Sequence, residues 1–132
     1  MTTYQMIKEQ LQTISIVRKK KRLILEEEFV NTRPVETDLS KIPYYYQKFN
    51  EIANPDNRDN IKMFVFIVFF MYSPVSCIRR CVRGNIRKEI AKLLRVGNAA
   101  VSAQFGDAKV LFAKHKGFQQ ETERIYNALR SA

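Results

Sequence analysis

The chain has 132 residues, 45% of them hydrophobic, with six Tyr and nine Phe, enough apolar material for one folded domain or one small domain with an extension. Four Gly and four Pro exclude a low-complexity chain, and apolar–polar alternation is too scarce for a β fold. The formal net charge of +10 favours a polyanionic partner, the alternative being a basic surface kept for solubility. We therefore predict an all-α protein.

The positive charge lies mainly in the C-terminal half. Residues 1–31 hold six basic and four acidic residues, a net charge of +2. Residues 32–60 hold four basic and five acidic residues (−1), and residues 61–132 hold 13 basic and four acidic residues (+9). The sequence therefore predicts an N-terminal helical region, residues 1–57, for self-association or contact with a protein partner. Residues 58–132 are the predicted basic domain.

Residues 3–31 have a helical apolar pattern that a run of basic residues interrupts. The stripe is formed by Ile7, Leu11, Ile14 and Val17. Five consecutive basic residues, Arg18–Arg22, cannot all be buried. We interpret them as a solvated helical face, partly matched by Glu26–Glu28, with phosphate contact and a nuclear signal as alternatives. The stripe also suits a homodimer seam.

A second helix is predicted after Pro34, with Asp38 or Ser40 as its N-cap. Its apolar face is expected to pack in the core or against a partner. That face holds Tyr44, Tyr45, Tyr46, Phe49 and Ile52. The polar run NPDNRDN, residues 54–60, then predicts a loop.

The most apolar run is IKMFVFIVFFMY, residues 61–72. It is too short to span a membrane, which takes about 20 residues. Periodicity alone also allows a buried strand. Because Asp59 and Asn60 are cap candidates and Ser73-Pro74 is a stop, we favour a central helix buried on nearly all sides.

A short helix is predicted from Ser73 or Pro74, with Gly84 as its stop. It carries Cys77 and Cys81, four residues apart. No His and no second Cys pair accompanies them, so we expect buried, inert thiols and no zinc site.

The stretch from Ile86 to Phe105, IRKEIAKLLRVGNAAVSAQF, has the pattern of two helices joined by a short turn. In the first helix, Ile86, Ile90, Leu93 and Leu94 recur at helical spacing, with Arg87, Lys88 and Lys92 on the other side. Gly97 and Asn98 are typical turn residues, and Asn98 is the expected N-cap of the second helix. That helix is expected to turn Val101, Phe105 and Ala108 inward.

This stretch resembles the helix-turn-helix superfamily, in the broad form of repressors, resolvases and region 4 of sigma factors. The small residue of the first helix is Ala91, the turn is Arg95-Val96-Gly97, and the second helix has Val101-Ser102. Arg95 stands where Gly is usual, and Gly97 stands where Ser or Thr is usual. The resemblance covers about 20 residues and implies a second helix that enters the major groove of DNA. It makes residues 58–132 the predicted helix-turn-helix domain. A purely structural helical hairpin is the alternative.

The resemblance implies two sets of contacts. Contacts with base edges are expected from Asn98, Ala99, Ser102, Ala103 and Gln104. Contacts with phosphates are expected from Arg79, Arg80, Arg83, Arg87, Lys88, Lys92 and Arg95. No arginine lies in the first turns of the second helix to read guanine, so phosphates are expected to dominate the affinity.

The second helix is predicted to continue to His115-Lys116-Gly117, with Gly117 as its stop. Gly106 weakens the helix locally or marks its end. A last helix, from Phe118 to Leu129, is predicted to turn Phe118, Ile125, Tyr126 and Leu129 inward. His115, the single histidine, is expected at the surface or at a helix end.

The sequence has no Walker loop, dinucleotide fingerprint, zinc signature or nucleophile elbow, so we predict no enzyme, cofactor, metal or small-molecule substrate. The predicted function is that of a cytoplasmic, nucleoid-associated protein that binds double-stranded DNA, such as a transcriptional regulator or a phage or mobile-element protein. The alternatives are a structural or adaptor protein, such as a virion component, and an RNA-binding protein. No signal peptide is recognised and no membrane association is expected.

Overall fold

The computed structural model describes Gln5, residues 34–77 and residues 83–131. The predicted N-terminal stripe and the Arg18–Arg22 run lie outside these residues. The described part holds five α-helices, two 3-10 turns and no strand, which confirms the all-α class. The helices are α1 (Ile42–Ile52), α2 (Asn60–Tyr72), α3 (Gly84–Leu94), α4 (Asn98–Lys114) and α5 (Lys116–Ser131), and the 3-10 turns are Leu39–Lys41 and Pro74–Cys77.

Helix α2 is the centre of the fold. Every residue from Met63 to Tyr72 is buried, because no charged or amide side chain interrupts the run. Asp59 occupies the N-cap position without a side-chain cap, and Ser73 closes the helix before Pro74. The predicted central helix is therefore confirmed, and the alternative of a strand is wrong. No described helix combines the length and the apolarity that crossing a bilayer requires.

Aromatic stacking joins α2 to the last two helices. The rings of Phe69 and Phe105 are stacked with centroids 4.1 Å apart, and those of Phe66 and Phe112 lie 4.6 Å apart. Phe70 meets Tyr126 of α5 edge-on at 4.8 Å. These pairs fix α4 against α2, so the predicted packing of the second helix of the Ile86–Phe105 stretch on the central helix is confirmed.

Helix α1 packs into the same core. Tyr46 and Phe49 contact Phe64 of α2, with centroids 4.8 and 5.5 Å away. Arg124 of α5 donates to the Ile52 carbonyl at 3.3 Å. Residues 54–59 form the predicted loop, but within the described residues the border predicted at residue 57 does not separate two cores.

Residues 34–41 are fastened to the end of α2 and the start of α1. The backbone N–H groups of Val35 and Glu36 donate to the Met71 carbonyl at 3.0 and 3.2 Å. Tyr72 Oη donates to the Asp38 carbonyl at 2.8 Å. The Asp38 carboxylate accepts from the Ser40 N–H, so the predicted Asp38 cap is confirmed, on the 3-10 turn that leads into α1.

Among the carboxylates of residues 34–41, that of Glu36 accepts the most hydrogen bonds. Tyr45 Oη donates to it at 2.7 Å, the Asp38 and Thr37 N–H groups donate at 3.1 and 3.0 Å, and Lys41 lies 3.6 Å away. The Tyr45 hydrogen bond is the largest cause that lowers the pKa of Glu36 to about 2. Because the folded pKa is depressed, this contribution to stability is complete above pH 4.5, the ordinary value, and is lost as the pH falls towards 2.

We expect Tyr45→Phe to lower the free energy of unfolding at pH 7 by about 2 kcal/mol, since a hydrogen bond to a charged group is removed. The variant should also lose less stability than the wild type between pH 4.5 and 2. Urea unfolding across this pH range measures both effects. Tyr44→Phe, at a half-exposed neighbour, is the control, and equal pH dependence in all three proteins would contradict the assignment.

The glycines predicted to end or weaken helices are Gly84, Gly106 and Gly117, and each of them lies within a described helix. Gly84 begins α3 and follows Arg83, which is extended. The helix predicted from Ser73 or Pro74 is a 3-10 turn as far as Cys77, and residues 78–82 lie outside the described residues. Gly117 is not a stop, because α4 ends at Lys114 and α5 already begins at Lys116. Gly106 lies inside α4 and does not end it. A glycine terminates a helix when its φ is positive, and no described glycine has a positive φ.

Cys77 lies on the Pro74–Cys77 turn rather than on an α-helix, and it is fully buried. Burial raises the pKa of the Cys77 thiol, which disfavours the reactive thiolate. The buried-thiol prediction is confirmed for Cys77, while Cys81 lies outside the described residues.

Candidate nucleic-acid interface

Helix α3 separates an apolar side from a basic side as the sequence predicted. Ile86, Ile90 and Ala91 are buried, and Leu93 and Leu94 pack against the core from partly buried positions. Ala91 is in the core, where its small side chain lets a neighbouring helix approach. The opposite side of α3 leaves Lys88 and Lys92 exposed.

The turn between α3 and α4 has a strained residue at its start. Arg95 adopts the left-handed conformation, with φ 58° and ψ 46°, and its N–H donates to the Ala91 carbonyl. It is the one residue with positive φ in the described part of the chain. The left-handed conformation is the one for which Gly is best suited, and here an arginine adopts it.

The end of the turn differs from the prediction by one residue. Gly97 is extended, with φ −77° and ψ 160°, and is the N-cap of α4. Its carbonyl accepts from the N–H groups of Ala100 and Val101 at 3.1 and 3.3 Å. Asn98 is the first helical residue, so its assignment as N-cap is wrong, because the extended residue that precedes the helix is Gly97.

We expect Arg95→Gly to raise the free energy of unfolding by about 1 kcal/mol, because glycine adopts positive φ without a clash of Cβ. The melting temperature should rise by about 4 °C. Arg95→Ala removes the same charge and keeps the strained backbone, so it is the matched control for calorimetry. Equal gains in the two variants would assign the effect to charge and not to the backbone.

Helix α4 has a buried side and an open side. Val101, Phe105 and Ala108 are buried as predicted, together with Phe112. The opposite side is exposed along most of its length and is lined by Ala99, Ala103, Gly106 and Val110. A Cβ placed on Gly106 would meet no atom within 4 Å, so this side is free of neighbours there.

The residues predicted to contact DNA bases are not equally accessible. Asn98, Ala99 and Ala103 are exposed, whereas Ser102 and Gln104 are partly buried on the flanks of α4. Ser102 Oγ accepts a hydrogen bond of 3.2 Å from Arg87 Nη1 of α3. Arg87 is partly buried, and its Nε has no acceptor among the described residues. The contact joins a predicted phosphate ligand to a predicted base reader, and sequence reasoning missed it.

The remaining basic residues of this region are exposed, and three of them, Lys88, Lys92 and Arg95, recur at the spacing of one helix side. Arg83, Lys88, Lys92 and Arg95 are all exposed, and none of them forms a salt bridge with a carboxylate in the described part of the chain. Arg95 begins a run of six consecutive exposed residues that ends at Ala100. Arg79 and Arg80 lie outside the described residues. The structure therefore brings four of the seven predicted phosphate ligands to the surface and places Arg87 between two helices.

Comparison of the chain with models of protein families, with curated proteins and with solved structures finds no match. Among the residues that the structure describes, no group of three or more His, Cys, Asp or Glu side chains is arranged to hold a metal ion.

Proposed function

We propose that this protein binds double-stranded DNA, with α4 in the major groove and α3 beside the backbone, as in a transcriptional regulator or a phage or mobile-element protein. The observation that carries the proposal is the exposed basic side of α3, with Lys88, Lys92 and Arg95 at helical spacing, which leads into an exposed turn and helix start; Arg83 is exposed at the other end of α3. Basic side chains that no carboxylate neutralises gain most from contact with phosphates, because condensed counterions are released.

In this arrangement the four basic residues hold the phosphates, and the start of α4 faces the base edges. Asn98, Ala99 and Ala103 lie in the groove, with Ser102 and Gln104 at its sides. Arg79 and Arg80 would extend the phosphate contacts before α3. The N-terminal region, residues 1–57, is the proposed site of homodimerisation or of a protein partner, and two copies would engage half-sites about one helical turn of DNA apart.

The test is a titration of the full chain into labelled random-sequence duplex DNA at several salt concentrations, read by fluorescence anisotropy. Binding that weakens steeply with salt, with a log–log slope of several units, is the expected result. Absence of binding at low salt would overturn the proposal. Competition with duplex RNA separates DNA binding from RNA binding.

A structural or adaptor protein is the second candidate, and one observation favours it. Four exposed positions along the open side of α4 carry small or β-branched residues, Ala99, Ala103, Gly106 and Val110, and Asp107 is exposed beside Gly106. Small residues permit close helix–helix contact, so the same side suits a protein partner. A complex that forms with a protein partner and not with DNA would support this candidate.

A further inference from the structure

The surface offered by the turn and the first two turns of α4 is mainly apolar. Val96 is 45% exposed, although valine is usually buried. Ala99, Ala100 and Ala103 are exposed beyond it, and Asn98 is the single amide in this surface. A helix that reads base edges through hydrogen bonds would carry polar side chains at these positions.

Ser102 and Gln104, the other polar side chains predicted to contact bases, lie on the flanks of α4. Ser102 Oγ is engaged by Arg87 Nη1 at 3.2 Å, and Gln104 is partly buried. Apart from the Asn98 amide, the exposed side chains of these two turns are therefore the methyl groups of Ala99, Ala100 and Ala103. One turn after Ala103, the exposed carboxylate of Asp107 limits how far α4 can approach a polyanion.

Charge complementarity favours duplex DNA as the partner of this apolar surface. Arg95 adjoins this surface in the turn, and Lys88 and Lys92 lie at helical spacing from Arg95 on the exposed side of α3. This positive charge suits phosphates and disfavours an apolar protein surface. The apolar group that duplex DNA presents in its major groove is the thymine C5-methyl, which alanine contacts directly.

We propose that the surface formed by Val96, Ala99, Ala100 and Ala103 reads thymine methyl groups and so directs the protein to A·T-rich duplex DNA. This inference rests on the proposed function. It assigns specificity to apolar contact rather than to hydrogen bonding with base edges.

The experiment compares binding of the full chain to an A·T-only duplex of mixed sequence and to the same duplex with every dT replaced by dU. The replacement removes the methyl groups and leaves the Watson–Crick pairs unchanged. Binding to the thymine duplex should be tighter by about fourfold for each methyl contacted. Ala103→Ser should reduce this preference, because it adds a hydroxyl to the reading surface.

Val110→Thr is the matched control, since it adds a hydroxyl to the same side of α4 about two turns further on. It should leave the thymine preference unchanged. Equal affinity for the two duplexes would overturn the inference and leave the proposed function standing. A preference that Ala103→Ser leaves unchanged would also overturn it, because the preference would then come from DNA shape. Binding to neither duplex at low salt would overturn both proposals.

Discussion

Phe105→Ala is expected to lower the free energy of unfolding by about 4 kcal/mol, a large part of the 5–15 kcal/mol that stabilises typical domains. Phe105 is fully buried. Its ring stacks on Phe69 at 4.1 Å, lies 6.4 Å from Phe66, and has Lys109 Nζ 4.6 Å from its centroid. Removal of the Phe105 ring leaves a cavity between α2 and α4 that Phe66 and Phe69 cannot fill without shifting.

Chemical denaturation measures this loss, read by circular dichroism. Phe105→Leu keeps most of the volume and should cost clearly less than the alanine variant. Val110→Ala, at an exposed position of the same helix, should change stability by no more than about 0.5 kcal/mol. A loss at Phe105 as small as that at Val110 would contradict the packing of α4 against α2.

The second large effect is expected on DNA binding. Replacement of Lys88, Lys92 and Arg95 by Gln should lower the affinity for random-sequence duplex about 500-fold at 0.1 M salt, or about 8-fold for each charge. The log–log salt slope should become shallower by about 2.7, because each lost phosphate contact releases about 0.9 fewer counterions. Gln at Arg95 keeps a side chain on the left-handed residue, so the stability of the turn should change little.

The matched control removes three positive charges elsewhere on the protein. Arg58, Lys116 and Arg130 are exposed and lie outside α3 and α4. Their replacement by Gln should change the affinity by only a few-fold, because charges more than about 10 Å from the phosphates are screened at this salt concentration. If the two triple variants lose affinity equally, the +10 net charge and not the α3–α4 surface is responsible for binding.

Much of the helical framework could be predicted from local pattern. The run from residue 61 to 72 has no charged side chain after Lys62, so only burial on all sides suits it, and the fold provides that. Val101, Phe105 and Ala108 recur at helical spacing and are all buried. Hydrophobic periodicity determines which side of a helix faces the core, whichever neighbour covers it.

The ends of the helices were predicted less well. Gly84 and Gly117 are glycines in suitable places for helix stops, yet they lie in the first turns of α3 and α5. The helix end with a left-handed residue falls on Arg95 instead. Propensity ranks residues for a position but does not determine which residue takes it, because packing of the following helix decides where the chain must turn.

The candidate site likewise has features that the sequence predicts and features that only the fold decides. The sequence alone determined the all-α class, the concentration of positive charge around residues 83–95, and the inward side of α4, because these depend on composition and spacing. Only the tertiary structure decided that Arg87 reaches Ser102, that Gln104 is partly covered, and that Val96 and the alanines are left open. The angle and separation at which α3 and α4 pack determine these outcomes, and both depend on contacts with α2, whose residues are distant in sequence.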